Sequence, residues 1–284
     1  MSKKVKILLV VVFALLFIVS ICAVAYPCVS NYLADRRQGS IVLQYNEAVE
    51  IAENTEISAN LEAAHAYNTT LVNGQENISD YDTLLNPTGN GMMGTITIPS
   101  IGVELPIYHG TQSLALGALH LQGTSLPVGG ISTHCVISAH SGMSSEKMFT
   151  DLDQLAEGDV FYLKVYGETL AYEVDHILIV LPDNTAPLMI EQGEDYCTLL
   201  TCTPYGVNTH RLLVRGHRIA YEPDAAAEDE QTPAPVSVKK STWMQQYLRG
   251  ILCGVGIVVC IAIAFGCLVL IRRRRNGRKQ EKKQ

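Results

Sequence analysis

The chain has 284 residues, which is room for one or two domains, and 48% of them are hydrophobic. This composition excludes a disordered chain, a collagen and a coiled coil, because each needs a residue bias that is missing here. The net charge of −7 argues against a general nucleic-acid-binding protein. Eleven of the 21 basic residues lie within 3–6 and 272–283, so residues 28–271 carry about −17. Basic ends around an acidic middle are typical of a chain threaded through a membrane.

Two apolar runs, Ile7 to Tyr26 and Ile251 to Ile271, are long enough to cross a membrane, which takes roughly 20 residues. The first run, within segment 1–27, is either an uncleaved anchor or a signal peptide. Its length and the poor cleavage site before Tyr26 favour an anchor. The second run ends in Arg272–Arg275, and the positive-inside rule then places both chain ends in the cytoplasm. We therefore predict a cell-membrane protein with two membrane helices, whose central part is extracellular.

The extracellular part begins with a helical arm, residues 28–74. Apolar residues at helical spacing predict a helix from Ser40 to Leu71, and Asn73-Gly74 is a stop signal. Residues 75–91 are polar, rich in turn residues and not periodic, which predicts a loop.

Segment 92–222 is predicted to be a mostly β domain, closed as a barrel or a sandwich. Single helical turns or short helices are expected at Ser113–Leu119 and Glu146–Leu152. An acidic flexible linker (223–246), the second membrane helix (247–271) and a basic cytoplasmic tail (272–284) follow. The predicted strands are Met92–Ile98, Val103–Ile107, Thr133–Ala139, Val160–Tyr166, Leu170–Val180, Tyr196–Cys202 and Arg211–Ile219.

Three residues with useful chemistry stand at predicted strand ends. Cys202 ends one strand, His140 follows another, and Arg211 begins the strand after Cys202. A thiolate can attack a carbonyl, an imidazolium can protonate a leaving amine, and a guanidinium can hold an oxyanion. Spacing alone leaves the ordinary alternative open: a buried inert cysteine, a surface histidine and an arginine paired with a carboxylate.

The segment Thr198 to Gly216, with sequence TLLTCTPYGVNTHRLLVRG, resembles the signature of class C sortases, the pilin-polymerising sortases of Gram-positive bacteria. Matching segments elsewhere are LLNPTG (84–89), LPIYHGT (105–111), GTSLPVGG (123–130) and FTDL (149–152). The similarity covers roughly residues 80–222, and the two flanking membrane segments also fit class C.

The resemblance implies a closed β-barrel of about eight strands, with His140, Cys202 and Arg211 as the catalytic residues. Such enzymes cleave an LPXTG-like signal between Thr and Gly and hold the acyl group as a thioester on the cysteine. They then transfer it to a lysine amine of the next pilin subunit. No metal and no organic cofactor is implied, and the partners are pilin subunits and the membrane, not nucleic acid. Arg211 is chosen over Arg215 only by the family match, since alternation places both on the same strand face.

The chain departs from the class C pattern at two places. Ser141 stands where class C enzymes commonly have arginine, and Ser141 and Thr201 are candidates for substrate or oxyanion support. The class C lid motif, Asp-Pro-aromatic, is replaced by a stretch without proline. Asp80 or Asp82 could still approach Arg211, with Tyr81 covering Cys202. The alternative is a solvated polar loop.

Two other functions compete with pilus assembly. A housekeeping sortase would attach proteins to cell-wall peptidoglycan, although two anchors and the Thr-Pro-Tyr-Gly turn argue against it. A non-enzymatic surface protein would need an LPXTG-like pentapeptide before the second apolar run, and segment 231–243 has none.

Two further cysteines stand at equal offsets from the candidate residues. Cys135 lies five residues before His140, and Cys197 lies five residues before Cys202. If the two strands are parallel neighbours, these cysteines lie side by side, and the odd offset turns them to the opposite face. A disulfide and two buried free thiols are both compatible with this placement.

Overall fold

The computed structural model describes residues 3–74, 81–110, 116–143, 146–223 and 249–256. Its centre is a closed barrel of eight strands in the order β1-β2-β3-β4-β7-β8-β6-β5, with β5 pairing back onto β1. The strands are β1 (Met92–Ile98), β2 (Val103–His109), β3 (Ala118–His120), β4 (Thr133–Ser138), β5 (Val160–Val165), β6 (Glu168–Val180), β7 (Asp195–Thr203) and β8 (His210–Ile219). All seven predicted strands are present with ends within two residues, and the barrel of about eight strands is confirmed.

Branched and aromatic side chains fill the interior of the barrel. Alternate residues of each strand point inward and are buried, among them Ile96, Ile137, Leu199 and Val214. Because the barrel is closed, no strand edge is left unpaired. Each strand buries one face in the interior and turns the other face outward.

Two helices precede the barrel, α1 (Lys3–Ile51) and α2 (Asn54–Val72). The hydroxyl of Tyr45 in α1 donates to Met93 O (2.9 Å) and accepts from Tyr166 N (3.0 Å). In α2, the amide of Asn68 makes two hydrogen bonds with the backbone of Leu126. These buried bonds tie the helical arm to the barrel.

The prediction of one helix over Ser40–Leu71 is wrong at a single place, since the helix breaks at Ala52-Glu53. Glu53 has an extended backbone (φ −68°, ψ 141°) at the break and directly precedes α2. The predicted helix Ser113–Leu119 is also wrong where it is described, because Ala118 and Leu119 belong to β3. That strand is stabilised by pairing with β2 and β4, which its three residues do not reveal by periodicity. The segment Glu146–Leu152, predicted as a single helical turn or a short helix, forms turns that lead into a 3₁₀ helix at Leu152–Gln154.

One helix in the described part of the chain is apolar and long enough to span a membrane, at Val10–Ile51 within α1. It continues without a break through residues 23–26, where a signal peptide would be cleaved. Of the second apolar run, residues 251–256 are described, and they are helical. The rest of that run, the linker from 224 and the tail 272–284 lie outside the described residues.

Candidate active site

Three of the predicted residues stand side by side at one end of the barrel. In the parallel pair β4–β7, Ser138 is level with Leu200, so that His140 and Cys202 are level two residues further on. In the antiparallel pair β7–β8, Cys202 is directly opposite Arg211. Because adjacent strands are about 4.8 Å apart, the three residues form a row across β4, β7 and β8.

The row lies on the outer face of the barrel. Strand alternation places Cys197, Leu199 and Thr201 on the inner face of β7, and all three are buried. Cys202 and His140 are half-buried. Cys202 is therefore not an enclosed structural thiol, and a substrate lying along the outer surface can reach it.

The structure separates the two arginines that alternation places on one face of β8. Arg215 is level with Thr198, well below Cys202. Its guanidinium donates two hydrogen bonds to the Asp175 carboxylate (3.1 and 2.9 Å) and one to Glu191 (3.2 Å). It also lies 4.0 Å from the centre of the Tyr196 ring. Arg215 is therefore part of an ion-pair cluster with Asp175 and Glu191, away from Cys202.

Arg211, in contrast, is opposite the nucleophile and is not paired with any acidic side chain of the described chain. Its Nη1 donates to the backbone oxygens of Asn208 and His210 (3.3 and 3.1 Å). These bonds orient the guanidinium without neutralising it, which suits a group that must meet a developing negative charge.

Thr201 has a different role from the one expected of it. Its side chain is 3% exposed, on the inner face, and its hydroxyl donates to Ala139 O (2.8 Å). The prediction that this hydroxyl supports substrate or oxyanion is wrong, because it fixes the backbone next to His140 instead. Ser141 is half-buried beside His140, and its part in substrate binding stays a prediction.

The lid prediction falls partly on Asp80, which lies outside the described residues. The described part of the loop, 81–91, reaches the barrel at the end of β2, where Gly91 O accepts from His109 N (2.9 Å). His109 is level with His120 of β3, and His120 is level with Ile137 of β4.

Tyr81 is 1% exposed and lies in the interior. Its hydroxyl bonds to His120 Nδ1 (2.8 Å), and its ring packs edge-on against His109 at 5.0 Å. Asp82 is exposed next to it. The prediction that Tyr81 covers Cys202 is therefore wrong, since a buried aromatic ring with a hydroxyl partner is stabilised in the interior. The approach of Asp82 to Arg211 stays a prediction.

The two cysteines that stand five residues before His140 and Cys202 lie side by side, as their equal offsets predicted. Cys135 and Cys197 are directly level in the parallel β4–β7 pair, and both are buried on the inner face as free thiols. Burial raises the pKa of both groups, but hydrogen bonds from Cys197 and His120 bring the pKa of Cys135 below its ordinary value. Their proximity is confirmed.

Within the described residues, no three His, Cys, Asp or Glu side chains are grouped to hold a metal ion.

Comparisons with known proteins agree with this geometry. A family model for the sortase domain matches residues 96–219, a segment that contains all three residues of the row. Sortase C1 from Streptococcus agalactiae is 41% identical with a TM-score of 0.62, over 64% of this chain and 100% of that chain. Sortase C from Streptococcus pneumoniae is 41% identical with a TM-score of 0.59, over 64% of this chain and 97% of that chain. Among curated proteins, sortase A of Bacillus anthracis is 28% identical over 127 residues, 44% of this chain and 59% of that protein.

The chain belongs to the sortase family. Sortases are cysteine transpeptidases, and the resemblance of this sortase to class C is confirmed by the solved structures that it matches at 41–45% identity. One of these is a pilus-related sortase C of group B Streptococcus, with a TM-score of 0.57 over 62% of this chain and 96% of that chain.

The surroundings of His140 in this sortase include a carboxylate that sequence reasoning missed. The loop after His140 folds back, since Phe149 N donates to His140 O (3.0 Å), and brings Glu146 close to the imidazole. Burial lowers the pKa of His140, and the charge of Glu146 opposes this shift. Glu146 is also paired with Arg37 of α1. An acidic residue six positions after a histidine has no periodic or motif signal, so only the folded loop reveals it.

Proposed function

We propose that this protein is a membrane-anchored transpeptidase that cleaves an LPXTG-like sorting signal and joins the released acyl group to a lysine amine of a pilin subunit. The observation that carries the proposal is the row of His140, Cys202 and Arg211 across three adjacent strands. The similarity to pilus-related sortases supports the choice of pilin as substrate.

In the first half of the reaction, the Cys202 thiolate attacks the carbonyl carbon of the signal's threonine. The carbonyl oxygen takes up negative charge, and the Arg211 guanidinium stabilises it. The tetrahedral intermediate collapses, breaking the bond to the glycine nitrogen. The His140 imidazolium gives its proton to that nitrogen, so the leaving group departs as a neutral amine and a thioester remains on Cys202.

In the second half, the neutral lysine amine of the acceptor attacks the thioester carbonyl. The neutral imidazole of His140 takes the proton from the attacking nitrogen, and Arg211 again stabilises the oxyanion. Collapse expels the Cys202 thiolate and leaves an isopeptide bond. The thiolate and imidazolium are then ready for the next signal, so no net proton is consumed by the enzyme.

The helical arm gives the active site a defined place near the membrane. Arg37 of α1 pairs with Glu146 beside the catalytic end of the barrel. From Tyr26, the last residue of the apolar run, to Arg37 the helix rises about 16 Å at 1.5 Å per residue. This arrangement supports an extracellular catalytic domain whose active site faces substrates that emerge from the membrane. The second span, residues 251–271, completes the proposed topology with both ends cytoplasmic.

The test uses the full chain in lipid nanodiscs, supplied with a pilin that ends in an LPXTG-like signal. One arm offers a second pilin as acceptor, and the other offers a peptidoglycan stem-peptide amine. Pilin–pilin isopeptide product in the first arm, identified by mass spectrometry, is expected. Product in the second arm alone would replace pilus assembly by cell-wall anchoring.

A matched pair of cysteine variants assigns the nucleophile. Cys202→Ala is expected to abolish both thioester and product, whereas Cys28→Ala, which changes an exposed cysteine in α1, leaves them unchanged. Transfer by Cys202→Ala would refute the mechanism.

A further inference from the structure

The loop that follows His140 carries a buried carboxylate for which the reaction above has no role. Glu146 is 8% exposed, and its Oε1 accepts from Arg37. Its other oxygen, Oε2, is buried without a hydrogen-bond partner among the described residues. Burying a carboxylate with one oxygen unsatisfied costs free energy. Such an arrangement points to a use for the negative charge.

The folding of the loop brings that charge to the histidine. The bond from Phe149 N to His140 O closes the loop, and Gly142 N donates to Thr150 Oγ1 (3.1 Å), so the loop is fastened at two places. Glu146 lies close enough to His140 to interact electrostatically with its ring.

The other charged groups around His140 are engaged elsewhere or lie on its far side. Lys147 is bonded to Asp151 (3.1 Å), and Asp35 of α1 faces Lys147. Cys202 and Arg211 stand on the β7–β8 side of the row.

We propose that Glu146 is a positioning residue that stabilises the imidazolium form of His140 through its charge, with Arg37 of the membrane helix as its anchor. The inference rests on the proposed function, in which this imidazolium protonates the leaving amine. Because its Oε2 has no hydrogen-bond partner among the described residues, Glu146 acts on His140 by charge alone and does not take the proton. Because Arg37 belongs to α1, the same contact joins the membrane arm to the catalytic centre.

The sign of the effect follows from the charge. A carboxylate favours the charged imidazolium, so removing it lowers the pKa of His140 further below its usual value. Glu146→Gln keeps the shape and still offers an oxygen to Arg37, so the loop remains folded. We expect kcat/KM at pH 7 to fall about tenfold, KM to stay unchanged, and the limb of the pH profile that His140 governs to move to lower pH.

The experiment measures two pH profiles on the full chain in nanodiscs. One is transpeptidation of an LPXTG-like peptide, and the other is alkylation of Cys202 by iodoacetamide, which needs no substrate. Glu146→Asp, which keeps the charge, is expected to return the limb that His140 governs most of the way to its wild-type pH. Glu157→Gln, an exposed carboxylate in a later turn, is the matched control and should change neither profile.

The outcomes separate the two proposals. A wild-type chain that alkylates normally but transfers no peptide refutes the proposed function. If the limb of the pH profile that His140 governs is unmoved in Glu146→Gln in both experiments, the proposed role of Glu146 is overturned. This holds even where the rate has fallen, because a purely structural residue would lower the rate without moving the limb.

Discussion

The hydroxyl of Thr201 offers a test of how the barrel holds the catalytic histidine. This hydroxyl donates to Ala139 O at 2.8 Å, next to His140, from a side chain that is 3% exposed. Thr201→Val keeps the shape and removes that one bond. The change therefore acts on the end of β4 without altering the row of catalytic side chains.

The structure sets the size of the effect. The Ala139 carbonyl is left without this donor in a buried site, and an unsatisfied buried group costs about 1–3 kcal/mol. For a domain of this size each kcal/mol lowers the melting temperature by about 2–4 °C. Because small displacements of a catalytic group reduce turnover steeply, we also expect kcat/KM to fall about tenfold.

Thr198→Val is the matched control, on the same strand but away from the site. Its side chain is 1% exposed, and its hydroxyl bonds to His134 Nε2 at 2.7 Å. Both variants should lose similar stability in thermal unfolding, but only Thr201→Val should lose turnover. Equal losses of turnover in the two variants would refute the argument, because they would trace the effect to general destabilisation.

Three further predictions concern the site and its surroundings. Arg211→Ala should lower kcat about 10²–10³-fold with little change in stability, and Arg211→Lys should recover only part of this, as steady-state kinetics would show. In the folded chain Cys135 and Cys197 should resist iodoacetamide and react only after unfolding, and a non-reduced mass lower by two hydrogens would contradict this. Gly142 has a φ of +80°, so Gly142→Ala should cost about 1–2 kcal/mol in a denaturant titration; an unchanged midpoint would show that the loop adapts.

Most of the barrel could be predicted because its strands are long and β-branched and are separated by turn residues. β3 could not, since Ala118–His120 is too short for a period, and its hydrogen bonds come from β2 and β4. The break between α1 and α2 at Ala52-Glu53 was missed for a related reason. Alanine and glutamate both favour helices, so the two residues at the break carry no local signal for it.

The candidate site shows the same division. Strand-end positions and the family resemblance suggested His140, Cys202 and Arg211, but only the strand order brings them into one row. The interior position of Tyr81 could not be predicted, because the sequence of a polar loop does not show which of its side chains will be buried. In Tyr81 the deciding contact is a hydroxyl bond to His120, a residue far away in sequence.

The pairing register of β4 with β7 explains how one strand carries both a reactive and a protected thiol. Cys197 and Cys202 are separated by an odd number of residues, so one faces the interior and the other the outer surface. The same register places Cys135 beside Cys197 inside the barrel and His140 beside Cys202 outside it. A slip of one residue would exchange the faces, burying the nucleophile and exposing a thiol that could trap it. The hydrophobic residues that alternate with these cysteines therefore fix the chemistry of the outer face as well as the packing of the core.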